Sequence, residues 1–178
     1  MLKQAQSSCD AKFILTVAEK TEFHDQQFDL INCSMAYQWF NQKLFLTEMI
    51  RILKPAGILC IDNYGFTGVM TGNENFKELY KKFDAENLPS APRHPDWQTE
   101  IHLTEFKLVN IQVLKYEHEV QMNCVQFMNY LMTRSNFQIL SAEQKNAVSI
   151  QLEKYYSSIF RNESKGLLFR GQSRLYSL

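Results

Sequence analysis

The sequence predicts an α/β fold on a mostly parallel sheet, and three consecutive stretches of the 178-residue chain carry that prediction. Phe28 to Ser34 (FDLINCS) is an apolar run of strand length. Asn41 to Lys54 places Leu44, Phe45, Met49, Ile50 and Leu53 at helical spacing, and Gly57 to Tyr64 (GILCIDNY) is a second apolar run after a Pro55/Gly57 stop. Such runs suit strands covered on both faces, and strands that alternate with helices pair in parallel through crossovers.

The other elements follow in chain order. Lys12 to Val17 (KFILTV), short and β-branched, is expected to be a strand, and Asn41 is available as the N-cap of the helix that Pro55 and Gly57 end. Residues 65–73 (GFTGVMTGN) carry three glycines and predict a mobile loop. Asn73 to Phe83 is a short helix with Phe76, Leu79, Tyr80 and Phe83 on one face. Leu88 to Trp97 (LPSAPRHPDW) has three prolines, which exclude regular structure. Phe106 to Tyr116 alternates as a strand. Two helices come next, one over about Val120 to Met132 and one starting at Ser141, where Ser-Ala-Glu-Gln forms a capping box with Gln144. Val148, Leu152, Tyr155 and Ile159 continue the stripe of the second helix. Leu167 to Leu178 is the last strand, so a helical insert of about 119–165 precedes it within a single domain, 1–178.

Composition removes several function classes. Nineteen basic and nineteen acidic residues balance, and no run of like charges is long, so neither nucleic acid nor an anionic membrane is an expected partner. Cys9, Cys33, Cys60 and Cys124 are too far apart for a CxxC pair, and His24, His102 and His118 lack ligand spacing, so no metal is expected. MLKQAQSSCDAK has no signal-peptide core, and no apolar run approaches the roughly 18 residues of a membrane span. The expected location is cytoplasmic, with reduced, packed thiols.

FDLINCSMAYQWF, followed by a helix ending RILKPAGILCI, resembles the middle of class I S-adenosylmethionine-dependent methyltransferases of the type 11 domain. The group containing trans-aconitate and malonyl-carrier-protein methyltransferases is the most similar. Phe28, Asp29, Ala36, Gln38, Trp39, Arg51, Leu53, Lys54, Pro55 and Gly57 carry the resemblance. It extends to Ala18-Glu19, where relatives line the adenine pocket, and to LMTRSNFQIL, which is similar to an inserted Arg-Ser helix. Val17 departs from the acid that many relatives have there. The resemblance implies S-adenosylmethionine as cofactor, near Ala18, Glu19, Ser34, Gln38 and Trp39. It also implies a small-molecule substrate, with carboxylate O-methylation as the sharpest form. A carboxylate acceptor is already ionised and needs a cationic clamp rather than a general base. Arg93, His94 and Arg134 are the candidates for that clamp, and no catalytic acid or base is assigned.

The family sheet runs 3-2-1-4-5-7-6 and begins with a strand and a GxGxG loop, followed by an acid for the ribose. The 178 residues contain no GxGxG. The expected fold is therefore an incomplete Rossmann-like class I methyltransferase sheet, N-terminally truncated, with an antiparallel C-terminal strand and a two-helix insert before it. Without strands 1 and 2, a gap of roughly 10 Å would separate strands 3 and 4. Either Lys12 to Val17 pairs directly with Phe28 to Ser34, or both expose edges. Two functional expectations follow: a methyltransferase impaired or inactive as this isolated chain, or a non-catalytic module that self-associates through an exposed sheet edge.

Simpler roles compete for the same residues. Trp39 and Tyr37 could face the sulfonium or merely close the core. Gln38 is expected to be solvated, Asp29 to order its strand, and Glu48 with Arg51 to form a surface pair. The helix dipole alone accounts for Arg134 near a helix C-terminus.

Overall fold

The structure, a computed structural model, describes residues 11–94 and 105–178. Four strands, β1 (Phe28–Ser34), β2 (Leu53–Met70), β3 (Val109–Met122) and β4 (Lys165–Ser177), form one mixed sheet in the order β1-β2-β4-β3. That is the 4-5-7-6 part of the expected order. The helices are α1 (Gln42–Ile52), α2 (Phe76–Asn87), α3 (Cys124–Met132), α4 (Ser135–Gln138) and α5 (Ala142–Phe160). The chain divides into two compact units whose boundaries fall inside β2, β3 and β4.

The first unit comprises residues 1–61, 94–112 and 174–178. Its core gathers Phe45, Leu46, Met49 and Ile52 of α1, with Cys33 of β1, Leu53 and Leu59 of β2, Leu108 and Tyr176. α1 starts where sequence places it, because the Asn41 side chain accepts the Leu44 N–H at 3.1 Å. It ends at Ile52, before the expected Pro55/Gly57 stop, and β2 follows at once from Leu53 instead of Gly57, with Ala56 at φ +62° inside it. Gly57 is required there: a Cβ would stand 2.8 Å from the Leu53 side chain and 2.9 Å from the Lys54 carbonyl. The Lys-Pro-x-Gly pattern thus marks a backbone too close to its neighbours for a side chain.

Lys12 to Val17 is not a strand. Val17 makes one isolated bridge to Lys20, and Leu15 is 86% exposed. β-branched composition favours an extended backbone, but a strand exists only where a ladder partner lies alongside. The expected direct pairing with Phe28 to Ser34 is not realised, and among the described residues β1 stands at one end of the sheet.

The second unit comprises residues 62–93 and 113–173. Its core is aromatic: Phe76 and Phe83 of α2, Phe127 of α3, Phe137 of α4, Tyr156 and Phe160 of α5, and Phe169 of β4. Sequence predicted a loop over 65–73, yet β2 continues to Met70. β4 supplies the ladder that composition could not reveal. The Thr67 hydroxyl donates to the Leu168 carbonyl at 2.8 Å, and the Thr71 N–H to the Gly166 carbonyl at 2.8 Å. Gly68, at φ +83°, absorbs the local bend.

The remaining differences are of boundary. α2 starts at Phe76 rather than Asn73 and runs to Asn87, and residues 88–94 form no regular element, as the prolines require. The rest of the Pro-rich stretch, to Trp97, lies outside the described residues, as do Cys9 and His102. β3 starts at Val109, not Phe106, and extends to Met122. This delays α3 to Cys124, behind an Asn123/Gln126 capping box. α5 has the predicted Ser141/Gln144 box, with Val148, Leu152, Tyr156 and Phe160 buried along it. Among the described residues no helix is long and apolar enough to cross a membrane.

Candidate functional site

The first unit contains a cleft of about 540 Å³ beside the exposed edge of β1. Five successive β1 residues, Leu30 to Ser34, line it, together with Thr16, Ala18, Thr21 and Phe23 from the preceding segment and Phe45, Met49 and Ile52 from α1. Consecutive strand residues point to opposite faces, so a cleft touching all five wraps the strand's edge. Phe28 and Phe40 complete an aromatic lining, in which the Phe23 and Phe28 rings meet edge to face at 4.8 Å. Among the described residues no charged side chain lines it.

The wall formed by residues 21–27 is fastened to α1 by one ionic network. Glu48 accepts from the Thr21 N–H at 2.8 Å and the Thr21 hydroxyl at 2.6 Å. Arg51 donates to both Glu48 oxygens, to the Phe23 carbonyl at 2.9 Å and to Asp25 at 2.6 Å. The Gln26 and Gln27 N–H groups then cap the carbonyls of Arg51 and Ile52. Hydrogen bonds from Arg51 and Thr21 hold the Glu48 carboxyl down to about 2, although its desolvation opposes the shift. Sequence predicted a surface pair, but Glu48 is buried and the pair clamps a loop. The partners that bury it lie far away in sequence.

Of the five residues expected near a cofactor, the structure brings Ala18 and Ser34 together in the cleft lining. The other three do not line it. The Glu19 carboxylate accepts the Asn41 N–H at 3.1 Å, where it supports the start of α1. Gln38 and Trp39 lie on a single 3-10 turn, Tyr37–Trp39. The Gln38 amide donates to the Met35 carbonyl at 3.0 Å instead of being merely solvated. Trp39 is 37% exposed, whereas Tyr37 closes the core against Phe45. The Tyr37 hydroxyl is buried without a hydrogen-bond partner, and burial raises its pKa.

The three expected cations make different contacts. The His94 N–H donates to the Gln38 carbonyl at 3.0 Å, which ties it to the turn after β1, and the Arg93 N–H donates to the Ala91 carbonyl. Arg134 belongs to the second unit. Its guanidinium forms a two-pronged pair with Asp84, at 2.8 and 2.7 Å, and lies 5.5 Å from the Tyr80 ring centre. It follows Thr133, the C-cap of α3, and its N–H donates to the Leu131 carbonyl, so it stands at a helix C-terminus as expected and is also the N-cap residue of α4. Asp29 pairs with Lys54 across β1 and β2 and takes no part in the cleft lining.

Sequence reasoning missed Thr16, Thr21, Phe23 and Asn32 as lining residues. Asn32 sits in a stretch that reads only as an apolar run, and the others come from a segment with no periodicity. Among the described residues no group of His, Cys, Asp and Glu side chains could hold a metal ion.

Residues 1–61 match the methyltransferase domain family. A protein of Dictyostelium discoideum, provisionally assigned as a methyltransferase, is 30% identical over 87 residues, which span 49% of this chain and 33% of that protein's length. The chain thus matches about a third of this curated relative. Among solved structures, a type II methyltransferase, also provisionally assigned, from Anaeromyxobacter dehalogenans aligns over 92% of this chain and 70% of its own, at 15% identity and a TM-score of 0.59. Another such assignment from Bacillus halodurans aligns over 97% and 74%, at 18% identity and a TM-score of 0.53. Residues 1–61 are thus similar to the methyltransferase domain family, and the chain shares its fold with these solved structures.

Proposed function

We propose that this chain forms part of an S-adenosylmethionine-dependent methyltransferase acting on a small molecule, with the cofactor in the cleft beside β1. The observation that carries the proposal is the position of that cleft. It extends to Ser34, the last residue of β1, and α/β folds bind ligands beyond the carboxyl ends of their strands. Its volume suits a nucleoside-sized ligand, and Phe28, Phe40 and Ala18 offer an apolar wall for a purine. When bound, the cofactor would supply an electrophilic methyl group; the chain would align it and exclude water.

The residues present fit one wall of the cofactor. The lining that the described residues form offers no carboxylate to the ribose hydroxyls and no countercharge to the amino-acid end. The isolated chain is therefore proposed to bind weakly and to turn over poorly. A carboxylate is the proposed acceptor class, with Arg93, His94 and Arg134 as candidate cations. Arg134 would have to exchange Asp84 for the substrate.

Calorimetry with S-adenosylmethionine and S-adenosylhomocysteine tests this. Weak heat with both, abolished by Ala18→Trp, is expected. A folded sample giving no heat with either ligand overturns the assignment.

A second reading, an interaction module that uses the end of the sheet, is favoured by β1 being the terminal strand among the described residues, with Leu30 61% exposed. In that reading the cleft receives a peptide strand instead of a nucleoside.

A further inference from the structure

The other end of the sheet has its own character. β3 is a 14-residue strand with β4 as its sheet neighbour among the described residues, and eleven successive residues from Val109 to Glu119 are exposed. Val109, Ile111, Val113, Leu114 and Tyr116 are large apolar side chains among them. Edge strands are ordinarily short, or are blunted by proline, bulges or charge. Val109–Met122 contains neither proline nor glycine, and its first six residues contain no charge.

We propose that β3 is a homodimerisation strand: two copies of this chain join their sheets through antiparallel β3 strands, with the two-fold axis at Tyr116. Charge selects both the partner and the register. Residues equidistant from such an axis face each other, so Lys115 of each copy meets Glu117 of the other, twice. Shifting the axis to Lys115 sets two ammonium groups face to face, and shifting it to Glu117 does the same to two carboxylates.

The existing cross-strand contacts extend into this arrangement. On one face, Arg170 of β4 already pairs with Glu117 at 2.7 Å, so Lys115 of the second copy continues an Arg170–Glu117–Lys115 row. On the other face, Tyr116 covers Gly171, where a Cβ would collide with its ring, and stacks 6.3 Å from Tyr64. Tyr64 in turn stacks on His118 and Phe169. This row of rings ends at an exposed Tyr116, and the axis places the second Tyr116 against it. The strand's backbone groups then gain ladder partners, and its apolar side chains lose water.

Light scattering coupled to size exclusion tests the proposal with a readout independent of the cleft. The wild-type chain is expected to be a dimer. Lys115→Glu, which opposes like charges at both contacts, should give a folded monomer by circular dichroism, and Glu117→Lys should do the same. Mixing the two monomers should restore a dimer, because each contact then pairs opposite charges. A monomeric wild-type chain, a dimer unaffected by Lys115→Glu, or folded single variants that fail to recombine on mixing would each overturn the proposal.

Discussion

Replacing Glu48 by Gln tests whether the carboxylate fastens the cleft wall. A carboxyl held at about 2 instead of 4.5 stabilises the folded state at neutral pH by at most about 3 kcal/mol. Arg51 is 34% exposed on its side chain, so solvent screening reduces this to about 1–2 kcal/mol. The sign follows from the lowered pKa: the contribution is complete above the unfolded value, near 4.5, and is lost as pH falls through about 2. Urea unfolding of the wild type and Glu48→Gln, at about pH 7 and again near pH 2.5, measures it. The expected difference is about 1–2 kcal/mol at neutrality, mostly gone in acid. Equal midpoints at neutral pH, or a difference independent of pH, would refute the network's role. Hydrogen exchange should also rise at Thr21 and Gln26, whose N–H groups the network holds directly or through Arg51.

Three further outcomes are expected. Asp84→Ala leaves the largely buried Arg134 guanidinium without its carboxylate and should cost about 2 kcal/mol; the double variant Asp84→Leu/Arg134→Met should cost less than the single change, which a double-mutant cycle in urea reads directly. Ser141→Ala removes the side chain that accepts the Gln144 N–H and half of the capping box of α5, for a loss of about 1 kcal/mol in chemical unfolding. Phe127→Ala opens a cavity among the rings of Phe66, Phe76, Tyr156 and Phe160 and should lower stability by about 3–5 kcal/mol; a loss under about 1 kcal/mol would mean that this core is not packed as described.

What sequence revealed was local, and what it missed needed a partner. The Asn41 cap, the α1 stripe and the Ser141 box depend on residues three or four apart, so their chemistry is visible in a short window. The methyltransferase pattern from Phe28 to Gly57 is legible for the same reason. Lys12 to Val17 misleads because its β-branched residues favour extension without supplying a neighbour. Residues 65–70 mislead in the opposite sense, since three nearby glycines suggest a loop while β4 imposes a ladder from far along the chain, 101 residues away for the Thr67–Leu168 bond. Glu48 was misjudged because Thr21, which buries it, is 27 residues away. In the site, Ala18 and Ser34 were found through the family pattern. Thr21 and Phe23 are held at the cleft by the Glu48–Arg51 clamp, which no local period encodes.

Tyr176 has a consequence for the order in which the molecule assembles. It is 3% exposed in the core that Phe45, Leu46 and Ile52 otherwise build, and Leu108 joins the same core from the middle of the chain. During synthesis those early residues emerge long before the two that seal them. The second core draws on residues 70–169 and has all its members before Tyr176 is made. Of the two cores, the one holding Phe45, Leu46 and Ile52 is thus completed later, and its apolar side chains stay uncovered until Tyr176 has been made.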